Sequence, residues 1–549
     1  MSKKASLARC ARLIGVGALA LSLVTTASAQ VRSGGSGFGG SGGRGGGGGD
    51  LPRSPVAEDE AFLYHVASRL TYGPTPELIA EMREMGVETW IQQQLFPENV
   101  DDSEMEATLS TEIDPPDDLF YEWDDFFYEH FHRARYSNRQ LQEVMLQFWE
   151  NHFDTVVVRG NSDEDRHTWT LMERGENLAF RQEAFGNFRD LLEHSAKSQA
   201  MMYFLDNFRS TVFELNENYG REILELHSLG VDCGYDQTDV EVVSQIFTGW
   251  SGVDLARRLP DPCDEPGEAP PDCQPLDYVE GTFYFNGGAH DQRAKTTLGY
   301  DFPAGGGLSE GLQVIDIVSE HPCTARFISL KLIEKFVTDA PTDAYVDRIA
   351  GTFLGTGGNI RKVLQEIFAS PEFRDPRNFR SKVKTPFEAE IATLRALDGQ
   401  MRIIWDEDRG EYRGFRDLWY RVNTMGMGLF DFAIPTGFDE TGGEWVGANG
   451  FLLRWRDAYG LAWRYPSDTQ TYWTDPLGQA QRLGLNSADN VVAHFAALLT
   501  GGAVSSERKA ALIDTLTGGS GVWDPAAPNE PGLREMVSHL LGSPEFIQQ

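Results

Sequence analysis

Apolar positions along this chain recur mostly three and four residues apart, the spacing of one helix face, and strict alternation is rare. Leu141, Met145, Phe148 and His152 follow at i, i+4, i+7 and i+11 and predict one helix stripe with a histidine on it. The pattern is helical from Glu58 to Phe96, broken by the turn Tyr72-Gly73-Pro74-Thr75-Pro76. It is helical again over Asn177 to Phe208, Asp239 to Trp250, from His321-Pro322 onward, over Ile360 to Phe368 and over Met536 to Leu541. Gly281 to Asn286 alternates and predicts a strand. The expected fold is therefore mainly α, a large multi-helix body with a small β-hairpin excursion around residues 275–300.

One echo stands out in that pattern. Ser370-Pro371-Glu372-Phe373 closes one helical stretch, and Ser543-Pro544-Glu545-Phe546 closes another. Their upstream flanks, from Phe336 and from Leu499, also lead into helices in the same way. A duplicated helical unit is expected, with too few copies for a solenoid.

The densest polar patterning lies in Leu215 to Gly230, read as one helix with Gly230 at its C-cap. At about 100° per residue, Glu222 and Glu225 fall within about 40° of Asn218, and Arg221 about 60° away. Ile223 and His227 point the opposite way. Two carboxylates one turn apart raise each other's pKa, and Arg221 or Asn218 can keep one ionised. That divergence suits a general acid and base. The alternative is a buried Arg–Glu network that locks the helix to its neighbours.

The ends and the composition set the organisation. Residues 1–29 read as an export signal. Lys3, Lys4, Arg9 and Arg12 precede the apolar Leu13 to Val24, and Ala27-Ser28-Ala29 forms a cleavage site. Residues 30–50 are a Gly-rich linker. The body spans 51–549, divided into a helical part (51–250), a loop and hairpin (251–300) and a second helical part (301–549) with the repeated Ser-Pro-Glu-Phe ending. Removing the signal takes the formal charge from −35 to −39, which argues against nucleic acid and anionic lipid as partners. No later run is apolar enough to span a membrane. The expected location is periplasmic or extracellular. Four cysteines remain, and two disulfides are expected, Cys263 with Cys273 around an acidic Pro-rich loop and Cys233 with Cys323.

The chain also resembles the bacterial DUF1800 family. The resemblance rests on Arg69-Leu-Thr-Tyr-Gly-Pro-Thr-Pro76, Phe148-Trp-Glu-Asn-His-Phe153 and Asn216-Glu-Asn-Tyr-Gly-Arg-Glu-Ile-Leu-Glu-Leu-His227. It continues through Phe247-Thr-Gly-Trp250, His290-Asp291, His321-Pro322, Lys384-Thr-Pro386, Pro435-Thr-Gly437 and Ser543-Pro-Glu-Phe546. It implies an exported, largely helical protein with no activity to carry over. Members are often encoded beside sulfatase-like proteins, which implies such a partner and extracellular polymer or ester chemistry by association. Glu150 stands where the family commonly shows a second histidine.

The candidate catalytic residues are Glu222, Glu225, His152, His290 and Asp291. Asn216, Asn218, Arg221, Trp149 and Trp250 are candidates for holding substrate. His152 on an apolar stripe also reads as a packed core residue, whereas His290-Asp291 sits in a Gly-flanked loop that suits acid–base or metal chemistry. His-Glu-x-x-His is absent. Glu-x-x-His spacing occurs at Glu129–His132 and Glu164–His167 only, so no metal site is assigned. A divalent metal would need ligands from distant segments. Phosphate-loop and dinucleotide motifs are absent, and the one Gly-x-Ser-x-Gly (Gly39 to Gly43) falls in the linker. No cofactor is expected. Two readings stand: an exported hydrolase acting on an extracellular polymer such as a glycan, or a small molecule, by carboxylate acid–base chemistry, and a secreted binding or assembly protein whose same residues form a structural polar core.

Overall fold

The computed structural model describes residues 58–113, 123–156, 163–252, 283–406, 411–413, 416–467 and 470–549. Residues 52–549 form one compact unit. The expected signal, linker and Cys263–Cys273 disulfide loop lie outside the described residues. The described part holds 23 α-helices and four two-stranded antiparallel sheets, so the chain is mainly α.

Local chemistry explains many helix ends. Thr385 accepts from the Glu388 N–H, Glu388 reaches back to Thr385, and Pro386 holds the first helical position of Pro386–Ala396. Asp236 and Asp239 make the same reciprocal cap on Gln237–Ile246. The two Ser-Pro-Glu-Phe segments share one device. Ser370 Oγ accepts from the Phe373 N–H at 3.1 Å, and Ser543 Oγ from the Phe546 N–H at 3.3 Å. Each turn drives its phenylalanine into the core. Each also ends the same three-helix order. Pro322–Phe336, Asp343–Gly355 and Ile360–Ala369 precede the first, and Ala488–Thr500, Ser506–Thr517 and Glu530–Leu541 the second.

The β structure differs from a single hairpin. Phe283–Phe285 does form a strand, but it pairs with Trp250–Gly252 across the undescribed loop. Lys295–Thr297 and Tyr300–Phe302 make a separate hairpin, and Gly299 turns it at φ 81°. Gln400–Met401 with Tyr472–Trp473 and Ile404–Asp406 with Glu411–Arg413 add two short ladders that alternation did not reveal. No helix among the described residues is long and apolar enough to cross a membrane.

The helix expected over Leu215 to Gly230 is shorter, Asn218–Glu225. Its last turn unwinds because the His227 N–H returns to the Glu222 carbonyl at 2.9 Å and the Gly230 N–H to Leu224 at 3.1 Å. At its other flank the helix touches Gln237–Ile246 closely. A Cβ on Gly220 would stand 2.0 Å from Ser244 Oγ.

At the centre lies Gln140–Phe153. All fourteen of its residues are buried, the polar ones included. An amphipathic helix would expose Glu143, Gln147 and Glu150. Here other parts of the chain meet them.

Candidate functional site

The polar groups at the C-terminal end of Gln140–Phe153 form the most elaborate titratable cluster near the motif residues. On one side, Asn151 grips a distant loop. Its Nδ2 donates to the Phe438 carbonyl at 2.8 Å and to Glu440 Oε1 at 2.9 Å, and its Oδ1 accepts from the Phe438 N–H at 2.6 Å. Gly437 makes this approach possible. It has φ 65°, and a Cβ there would lie 2.0 Å from the Asn151 carbonyl oxygen. Glu440 continues the network to Lys335 at 3.5 Å, and Lys335 donates to Glu388 Oε1 at 2.9 Å. Burial pushes the Glu388 carboxyl up, but Lys335 and the Thr385 N–H outweigh it and hold it at about 2. Lys382 ties Asp339 and the Glu440 carbonyl into the same group, and Asp339 Oδ2 accepts from the Gly442 N–H at 2.8 Å.

His152 is fixed at both ring nitrogens. Nε2 donates to the His227 carbonyl at 3.1 Å, so Nδ1 carries the lone pair and accepts from Lys331 at 3.0 Å. Burial, with Lys331 adding to it, holds His152 well below its usual pKa and His227 down to about 3. Both imidazoles are neutral and packed, and the His152 ring lies 6.4 Å from that of His227.

The third side is acidic. Thr155 Oγ1 lies 2.8 Å from both Glu173 Oε1 and Glu176 Oε2. One hydroxyl proton cannot serve two carboxylates, so one of the two glutamates is protonated and donates to Thr155. Burial raises Glu173 to about 7, raises Glu176 too, and together with the Glu173 charge raises Asp154 to about 9. Burial, then Glu173 and Glu176, raises Glu150, whose Oε1 accepts from Asn177 at 2.8 Å. Asp154 Oδ2, Glu173 Oε2 and Glu176 Oε1 are buried without a partner. Burial favours the protonated form in each of the four, and no three of their oxygens gather as a ligand set. Among the described residues the one group of three ligand atoms within 4.8 Å of one another is Cys233, His321 and Cys323. Its sulfurs are joined to each other as a disulfide.

The sequence candidates do not converge. Glu222 and Glu225 are half-buried on the surface of Asn218–Glu225, and neither lines the nearby cavity beside Leu229, Cys233 and Tyr235. Burial, then Glu225, raises the Glu222 carboxyl, as an acid–base pair requires. Arg221 turns away from the pair. It donates to Glu217 at 3.3 Å and to Gln237 at 3.0 Å. Asn216 Oδ1 accepts from the Asn218 N–H at 2.8 Å and opens the helix, while Asn218 is exposed.

His290 and Asp291 sit elsewhere and are sealed, against the expectation of an open loop site. His290 Nδ1 bonds the Thr248 carbonyl at 3.0 Å, and Nε2 faces Glu310 at 3.5 Å. Glu310 pairs with buried Lys295 at 2.7 Å. Asp291 is held at about 2, first by its hydrogen bonds to Arg293. These residues fasten the hairpin to the Thr248-Gly249 turn. Trp149 and Trp250 offer no stacking face, because both are fully buried. Trp149 Nε1 donates to the Ala184 carbonyl at 3.1 Å, and Trp250 packs against Phe247 and Phe283.

Sequence reasoning missed Asp154, Thr155, Glu173, Glu176, Lys331 and Lys335. Two signals were present. Glu173 and Glu176 stand one helix turn apart, and Lys331 and Lys335 lie one above the other on a second helix.

The chain matches the family model DUF1800, described as a protein of unknown function, over residues 65–548. Comparison with curated proteins and with solved structures gave no match.

Proposed function

We propose that this chain, which belongs to the DUF1800 family, is an exported binding or assembly protein whose motif residues form a structural polar network. One observation carries this reading. Trp149, Asn151 and His152 of the Phe148–Phe153 motif are each consumed by bonds to distant segments, at Ala184, Phe438 and His227. Segments that far apart need directional bonds to choose one arrangement, and buried groups with satisfied partners supply that choice. The form of residues 1–29 supports export. The joined Cys233–Cys323 pair suits an oxidising compartment. Partners on this reading are an extracellular polymer, a small molecule or a sulfatase-like protein.

The raised Glu222 carboxyl beside Glu225 favours a second reading, a hydrolase acting on a glycan. A turnover screen of the mature protein against polysaccharides and esters, with and without chelator, separates the two. The binding reading expects no turnover. Turnover that Glu222→Gln abolishes would replace it with the hydrolase reading.

A further inference from the structure

A cavity of about 280 Å³ lies where Glu58–Arg69, Pro386–Ala396, Ala488–Thr500 and the C-terminal Pro544–Ile547 turn meet. Its walls are largely apolar, with Ala392, Leu498, Leu499 and Phe546 among them. His65, Arg380 and Lys384 also line it, and among the described residues no Asp or Glu does. In a chain of net charge −35, a cavity lined by Arg380 and Lys384 and by no described carboxylate is a local reversal of sign, and burial holds the His65 imidazole well below its usual pKa.

Lys384 makes no ion pair with a carboxylate among the described residues. Lys384 is 5% exposed, and its Nζ donates to the Phe546 carbonyl at 2.7 Å and the Gln548 carbonyl at 2.9 Å. An ammonium has three protons, so one is left over. The nearest opposing charge, Glu388, is already held by Lys335, the Thr385 N–H and Gln549. Burial therefore takes Lys384 down to about 7, and Arg69, Arg380 and Arg454 push the same way against Glu388. Behind the cavity wall, Arg69 Nε and Nη1 and Arg454 Nη2 are buried without a partner, although neither arginine lines the cavity itself. His65 is 3% exposed and stacks on Phe379 at 4.3 Å. Buried donors left unmatched cost stability unless something accepts from them.

We propose that this cavity binds a small organic anion, a monocarboxylate with a short apolar tail, with its carboxylate on Lys384 and its tail among Leu498, Leu499 and Phe546. A carboxylate supplies the missing acceptor and the missing negative charge together. The apolar wall favours it over inorganic phosphate, whose hydration shell nothing on that wall replaces. The inference rests on the binding reading and gives it a ligand class. Polymer turnover would remove that reading, whereas the titration below tests the ligand alone.

The test is isothermal titration calorimetry of the mature full chain with hexanoate, 1-hexanol and inorganic phosphate. Hexanoate is expected to bind one per chain, with hexanol and phosphate each weaker by about tenfold or more. Lys384→Met should weaken hexanoate by about tenfold or more. Ala503→Phe, at a half-exposed lining position, should abolish binding by filling the cavity while leaving the amine in place. That variant decides the matter if Lys384→Met does not fold. Absence of hexanoate binding up to about 10 mM, equal affinity for hexanol or phosphate, or unchanged hexanoate binding in Ala503→Phe would each overturn the proposal.

Discussion

Asn151→Ala cuts the network where a single side chain holds two segments 287 residues apart. The truncation removes three hydrogen bonds, two to the Phe438 backbone and one to Glu440. Each is worth about 1 kcal/mol net, so the loss is about 3 kcal/mol if water replaces the amide. It rises to about 5 kcal/mol if the Phe438 groups are left dry. Either value is a large share of the roughly 5–15 kcal/mol that holds a domain folded. Asn151→Asp sharpens the reasoning. It keeps the acceptor for the Phe438 N–H but sets a carboxylate oxygen where Nδ2 now donates to Glu440 at 2.9 Å. It should be at least as destabilising as alanine. Urea unfolding followed by circular dichroism reads both as a lower midpoint at an unchanged slope. The exposed Asn218→Ala serves as the control and should shift stability by less than about 0.5 kcal/mol. If both Asn151 variants behave like that control, Asn151 does not carry the network.

Three further outcomes follow from the same contacts. The Glu173 carboxyl is raised from 4.5 to about 7 in the folded chain. Its stabilisation is therefore full below pH 4.5 and lost as pH rises through about 7. Glu173→Gln should match the native chain near pH 5 and exceed its stability at pH 8 by on the order of 3 kcal/mol, measured by unfolding at the two pH values. Cys323→Ser opens a link between residues 90 apart and should cost about 4–5 kcal/mol, read as a lower melting temperature that reductant no longer changes further at this link. Gly437→Ala should cost more than the roughly 1–2 kcal/mol of left-handed strain, because its Cβ also displaces the Asn151 carbonyl. The melting temperature measures that excess.

The parts of the fold legible in the sequence are those decided over a few residues. The Leu141–His152 stripe gave its helix, and the Ser-Pro-Glu-Phe repeat gave two equivalent turns because each serine caps three residues on. The Leu215–Gly230 helix was overextended. Its stop depends on backbone bonds from His227 and Gly230, which leave no mark in residue type. The hidden part of the candidate site has one cause. Polar residues such as Glu143 and Glu150 read as a solvent face, but their partners Arg181 and Asn177 arrive from another helix. His152 was placed on its apolar stripe correctly, yet Lys331 lies 179 residues away and nothing near His152 announces it. His227 does lie away from the Glu222–Glu225 face, but not by the helical projection, since the helix ends at Glu225 and the chain has left it by His227. His227 is buried and the two glutamates are half-buried at the surface.

Hydrogen exchange at residues 437–442 tests the central claim most directly. This segment has no helix or strand to protect it. Its Phe438 and Gly442 amides are held by the side chains of Asn151 and Asp339. A structural network predicts that these two amides exchange as slowly as those of the Gln140–Phe153 helix, and that Asn151→Ala releases Phe438. Exchange of both amides at the rate of an exposed loop would contradict it.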